Sequence, residues 1–145
     1  MADIGHGRIE AGAHVFALRV YWEDTDAAGI VYYANYLKFI ERGRTEMLRH
    51  AGVDQQAILE ADGLAFAVRA VSVEYLRPAK LEDEIEVVTR VAELGGASLV
   101  LDQDVRRADA ALAAAQVRIA CIDRAGRPKR LPRALSDAIR HFAKA

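Results

Sequence analysis

The chain has 145 residues, 52% of them hydrophobic, and a formal net charge of −1 at pH 7. That length suits one domain with its own core, and the near-neutral charge argues against general nucleic-acid binding, which needs a basic face against phosphates. No apolar run reaches the ~18 residues that cross a bilayer, no basic-then-apolar leader opens the chain, and a single cysteine, Cys121, excludes an internal disulfide; the expectation is a cytoplasmic protein that is not transmembrane.

Residues 1–12, with Gly5, Gly7 and Gly12 and few large apolar side chains, read as a flexible leader, leaving 13–145 as a single domain. The segment HVFALRVYW, His14 to Trp22, alternates imperfectly and is rich in β-branched and aromatic residues, as a strand buried on much of both faces is. Next, EDTDAAGIV concentrates Glu23, Asp24 and Asp26 ahead of a long helix expected over 32–50. There Tyr36, Ile40, Gly43 and Met47 recur at helical spacing, Leu37, Arg44 and Leu48 flank them, and Gly52 supplies the stop. Gly43 costs about 1 kcal/mol relative to alanine inside a helix, and a close approach to a sheet would explain it. Asp54 caps a short second helix to about Ala61.

Four strand-like segments follow. They cover 64–76, before Pro78; 83–94, before the Gly95-Gly96 turn; 98–106, with the plainest period-two alternation; and 111–123. In the last, alanines favour helix, yet Ala113, Ala115, Val117, Ile119 and Cys121 share one face at period two, and we read it as a strand with Cys121 a buried small hydrophobe. LPRALSDAIRHF closes the chain as a short helix with Pro132 in its first turn. The order is α+β: one long helix wrapped by a curved antiparallel five-stranded sheet.

Several chemistries drop out. Ser72, Ser98 and Ser136 lack glycine flanks, His6, His14, His50 and His141 show no metal-ligand spacing, and there is no phosphate-cradling loop. The acidic loop remains. Helix N-termini favour negative charge, so capping and turn formation alone could account for Asp24 and Asp26. The catalytic alternative is that one loop joins a carboxylate to free N–H donors able to hold an oxyanion, with the uncharged AAGIV keeping its surroundings dry.

EDTDAAGIVYYANYLKFIERGRTEMLR, with VSVEYLRPAKLEDEIEV and IDRAGRPKRLP, resembles the hotdog-fold acyl-CoA thioesterases of the 4-hydroxybenzoyl-CoA thioesterase family, in particular the YbgC-like, Tol-Pal-associated branch. The likeness runs from about Val15 to Arg140, and Asp24, Asp26, Gly29, Val31 and Tyr36 carry its core motif. It implies hydrolysis of an acyl-CoA thioester to the free acid and CoA, with no separate cofactor or metal. Asp26 would be the nucleophile or general base, and the backbone N–H of Tyr33 would polarise the carbonyl. Gly29, Val31 and Tyr36 would shape the substrate site. Glu41 is either a partner-facing acid that touches the acyl group or a solvated helix residue.

Many members of the branch carry histidine at the position of Tyr33, so this chain has no imidazole there. RAGRPKRLPR holds five of the chain's twenty Lys and Arg; it is either a solvated basic loop or, through Arg127, Lys129 and Arg130, a clamp for the CoA phosphates. The hydroxybenzoyl branch instead places basic residues in the turn where this chain has ELGGAS. The resemblance further implies a homo-oligomer, a dimer or a tetramer built from two dimers, with acyl carrier protein as a possible second partner. A hotdog acyl-CoA hydratase and a non-catalytic binding module for acyl-CoA or acyl carrier protein are the alternatives, the first disfavoured by the missing histidine.

Overall fold

In the computed structural model, which describes residues 5–143, the period-two segments form one antiparallel sheet. Residues 1–4 of the expected leader and 144–145 of the expected domain lie outside the described residues. The strands are β1 (Arg8–Glu10), β2 (Ala13–Arg19), β3 (Ala65–Tyr75), β4 (Glu84–Leu94), β5 (Ser98–Arg107) and β6 (Ala110–Ile122), in the order β1-β2-β4-β5-β6-β3. The helices are α1 (Asn35–His50), α2 (Gln55–Asp62) and α3 (Arg133–Ile139). Together they form the α+β hotdog arrangement, a long helix against a wrapping sheet.

Periodicity prevails over alanine content in β6. Flanked by β5 and β3, its Ala113, Val117, Ile119 and Cys121 are buried, and small side chains suit a strand with neighbours on both sides. Among the described residues the sheet has six strands rather than five. The extra one, β1, lies in the segment expected to be leader and pairs with β2 through a two-residue turn, Ala11 (φ 50) and Gly12 (φ 80). Two successive positive φ angles match the twist of a hairpin, but three exposed residues carry too little apolar pattern to read as a strand. The long helix also begins later than expected, at Asn35, because residues 32–34 form a turn in which Asn35 N–H donates to Tyr32 O at 2.8 Å. Asp54 caps α2 as expected, its Oδ1 accepting from Ala57 N–H at 3.1 Å.

Helix α1 packs chiefly against β2, β4 and β5. Phe39, Ile40, Gly43 and Met47 face the core, and at Gly43 the helix comes so close that a Cβ there would stand 2.5 Å from Val87 Cγ1 and 2.9 Å from Val87 Cβ. Gln103 pins this approach. Its buried side-chain amide donates to the Ile40 carbonyl at 2.8 Å and to Thr89 Oγ1 at 3.0 Å, so a helix carbonyl is tied directly to β5 and β4.

A second buried polar group sits beyond the other end of α1. His14 is fully buried, its Nε2 hydrogen-bonds the His6 carbonyl, and its Nδ1 has no partner among the described residues. Burial holds its pKa below the ordinary 6.5; the hydrogen bond to the His6 carbonyl and, more weakly, Glu46 oppose this, while the His50 ring, 5.5 Å away, pushes the same way as burial.

Two outcomes follow from these contacts. Gly43→Ala gains helix propensity but overpacks against Val87, so it should destabilise the fold by about 1–3 kcal/mol in urea denaturation. Unchanged or raised stability would show that the close approach is not constrained. For His14, the unfolded chain takes up a proton near 6.5 while the folded chain resists it, so stability is present above that pH and declines as pH falls below it. His14→Phe should flatten the wild-type loss of urea midpoint between pH 7.5 and 5; equal slopes would assign the loss to another group.

Candidate active site

The acidic segment folds into a small hairpin over residues 25–31. Asp26 N–H donates to Ile30 O at 2.9 Å, Gly29 N–H to Asp26 O at 3.0 Å, and Thr25 bridges Val31. Gly29 takes φ +78°, a conformation glycine adopts without the strain a side chain brings. Val31 is buried, and its N–H donates to Ala79 O at 2.9 Å. Tyr36, also buried, accepts the Ala79 N–H on its hydroxyl at 3.1 Å, and burial raises its pKa. Val31 and Tyr36 therefore hold the hairpin against the segment that leads into β4, so of the residues expected to shape the site these two act from beneath it.

The two aspartates have different surroundings. Asp24 is 7% exposed; its carboxylate accepts the Tyr21 N–H at 2.8 Å, and its carbonyl accepts Tyr32 N–H and Asn35 Nδ2, both at 2.9 Å. It is the knot that ties the loop to the start of α1. The exposed Asp26 uses one oxygen, Oδ1, to accept Ala28 N–H at 2.8 Å; its other oxygen has no hydrogen-bond partner among the described residues. The expected dry setting is not made by a single chain, because Ala27, Ala28 and Gly29 are exposed as well.

The Tyr33 N–H lies two residues before α1 rather than within it, yet it is a well-placed donor. Its peptide carbonyl, Tyr32 O, accepts Asn35 N–H, and in a trans peptide the N–H points the opposite way, out of the helix end. No acceptor for it is found among the described residues. The following peptide is held by Tyr75, whose hydroxyl donates to Tyr33 O at 2.9 Å. The bond from Tyr32 N–H to Asp24 O brings the Tyr33 and Asp26 segments to one place. Asn35 and Tyr75 were not singled out in the sequence. An Asn at the start of a helix hints at the first, but the second comes from a strand forty residues away.

The remaining expected residues lie elsewhere. Glu41 is exposed on α1 at the rim of a cavity of about 100 Å³, and its carboxylate accepts the Thr45 hydroxyl at 3.2 Å. The basic loop is divided. Arg127 pairs with Asp123 at 3.2 Å, Lys129 reaches the same carboxylate at 4.0 Å, and backbone N–H donors, chiefly that of Arg127, hold Asp123 below its usual range. Arg130 turns instead to the Gly95-Gly96 turn, where it lines a cleft of about 440 Å³ with Arg133 and Arg140. The expected CoA clamp and the glycine turn thus lie side by side. They flank the end of β4 opposite the acidic hairpin, and an eleven-residue strand separates the two by roughly 35 Å.

Imidazoles are far from Asp26. His14 stacks edge-on with His50 and Phe142, and His141 packs on Phe142, all around the C-terminal end of the helix, about 24 Å from its start. No cluster able to hold a metal ion occurs among the described residues, and no helix among them is long and apolar enough to cross a membrane.

Comparison with known proteins shows the family. A model of the thioesterase-like superfamily matches residues 20–139. The acyl-CoA thioesterase YbgC of Haemophilus influenzae is 42% identical over 128 residues, which cover 88% of this chain and 94% of that one. The acyl-CoA thioester hydrolase YbgC of Escherichia coli is 46% identical over 123 residues, 84% of this chain and 89% of the other. Among solved structures, a probable thioesterase from Bartonella henselae superposes with a TM-score of 0.80 at 39% identity, covering 83% of this chain and 99% of that one.

Proposed function

The chain belongs to the thioesterase-like superfamily and is an acyl-CoA thioesterase, and we propose that Asp26 and the Tyr33 N–H carry its chemistry. One observation supports this above the others: among the described residues, a carboxylate with one oxygen free of hydrogen bonds and an N–H without an acceptor stand on adjoining turns tied together through Asp24. A thioester carbonyl bound with its oxygen on the Tyr33 N–H would build negative charge where a fixed donor already waits. Asp26 then attacks the carbonyl carbon, expelling the CoA thiolate and leaving a mixed anhydride for water to open, or it takes a proton from the water that attacks. Either route yields the free acid and CoA. Gly29 supplies the positive φ that the hairpin turn takes, while Val31 and Tyr36 keep it in register with the helix.

The site opens to solvent in one chain, and a second copy would close it. Strand β3 is an edge strand of eleven residues with Val68, Val71 and Tyr75 between 41% and 47% exposed, a surface suited to pairing. Antiparallel pairing of two β3 edges about a two-fold axis sets the Phe66 end of one beside the Tyr75 end of the other. The first end adjoins the 123–130 loop, and the second carries the contact to Tyr33. In such a homodimer Arg127, Lys129 and Arg130 of one subunit serve the other's Asp26 site as the CoA phosphate clamp, and Glu41 faces the shared cleft; two dimers could stack as a tetramer. Acyl carrier protein presents the same thioester and phosphate chemistry to this cleft. The buried free thiol of Cys121 fits a reducing cytoplasm.

Asp26→Asn should lower kcat for thiol release from acyl-CoA by about 10²-fold or more with the fold intact, and Asp24→Asn less at kcat but more in thermal stability. Near-normal turnover by Asp26→Asn would refute the assignment, and single turnover in ¹⁸O water separates the routes, since only the anhydride can leave label in Asp26. Sedimentation should show at least a dimer at micromolar concentration; a monomer that is fully active would remove the shared site.

A further inference from the structure

Resting on the acyl-CoA thioesterase reading, we infer that Arg44 selects acyl groups that carry a carboxylate at their far end. Because α1 lies over β2, β4 and β5, its opposite flank stands off the β6 and β3 half of the sheet. The cavity of about 100 Å³ opens in that gap, between Arg44 and Leu48 of α1, Phe66 and Val68 of β3 and Ile119 of β6. A shallow depression lined by Leu37, Lys38, Glu41 and Arg42 shares Arg44 and lies on the N-terminal side of the cavity along α1. The Tyr33 and Tyr75 rings, 6.2 Å apart, mark the thioester end of this path, and Phe66 marks the far end of β3.

The path has the reach of a medium acyl chain. Arg44 lies roughly 14 Å of helix axis beyond Asn35, where α1 begins, and helical side chains lean toward the N-terminus, which brings the guanidinium nearer the carbonyl site. The cavity walls are mainly apolar. Against them Arg44 is partly buried, and among the described residues no carboxylate comes within ion-pair distance of it and nothing accepts its hydrogen bonds. Glu41, the acid at the cavity, is engaged by the Thr45 hydroxyl. Burial lowers the Arg44 pKa, and the field of Glu41 only partly opposes this. The Gln55 side chain, likewise without a partner among the described residues, faces the same space.

A guanidinium withdrawn from water and left unpaired is unfavourable, and a planar carboxylate is the group its fork of donors fits. CoA of the same subunit's site is not that anion, because its thioester sits at Tyr33 and only the acyl chain extends past it, and CoA of the partner's site is directed to Arg127, Lys129 and Arg130. A wholly apolar chain would fill the cavity and leave Arg44 unsatisfied. An ω-carboxyacyl chain fills it and pairs the charge.

The test uses matched CoA thioesters: hexanoyl against adipoyl, octanoyl against suberoyl, decanoyl against sebacoyl. For at least one length the wild-type enzyme should prefer the ω-carboxy member, and Arg44→Met should lower its kcat/KM by about tenfold or more, chiefly through KM, while the neutral member holds or improves. Arg44→Lys should keep part of the preference, which also controls for misfolding. Equal effects of Arg44→Met on both members at every length overturn the inference. Should no CoA thioester be hydrolysed, the thioesterase reading fails by itself, and calorimetry with suberoyl-CoA still decides Arg44: weaker binding by Arg44→Met supports its role, and equal binding removes it.

Discussion

The seating of α1 on the sheet is the constraint from which the rest of the molecule follows. Gly43 allows backbone-to-side-chain approach at Val87, and Gln103 fastens the Ile40 carbonyl to the strands below. A helix so tightly registered cannot slide or roll by a fraction of a turn without either a clash or a buried unpaired amide, both costly in a close-packed interior. Its N-terminal end is therefore delivered to one place, beside the acidic hairpin. Its position off the sheet's centre leaves the gap that holds the cavity.

Delivery alone would not make a donor. The first turn has N–H groups without helical acceptors in any helix, and most meet a side-chain cap or water. Here Ala34 offers no side-chain cap, Asn35 spends its amide on the Asp24 carbonyl, and the Tyr32 and Tyr33 carbonyls are both bound. The orientation of the Tyr33 N–H is set while, among the described residues, nothing accepts it. Burial separates the aspartates: each carboxylate accepts one backbone N–H, but Asp24 is buried in the corner and ties it together through its carbonyl as well, while Asp26 stays exposed.

The arrangement also shows why one chain looks incomplete. The carboxylate is exposed, the basic loop is a strand's length away, and the edge strand nearest the site presents apolar side chains to water. The proposed two-fold pairing answers all three with one operation, since antiparallel edges bring opposite ends of the sheet together. The glycine turn after β4 fits the same picture. It carries no charge itself, and the C-terminal segment brings Arg130, Arg133 and Arg140 to it, so cations reach that corner by a different route through the chain.

Much of this was legible in residue order. Period-two alternation identified the strands, even the alanine-rich β6; Gly43 announced a close contact; and the clustering of Asp24 and Asp26 before a helix marked the corner proposed as the active site. These are local signals, written by neighbours in sequence, and β1 escaped because three exposed residues write too faint a pattern. What tertiary structure alone decided is non-local: that Tyr75 steadies the Tyr33 peptide, that Arg130 turns to the Gly95-Gly96 turn, and that Arg44, with no ion-pair partner among the described residues, borders an apolar gap. Each depends on where distant segments meet across the sheet, and that is set by packing of the whole core around α1 rather than by any stretch of the chain.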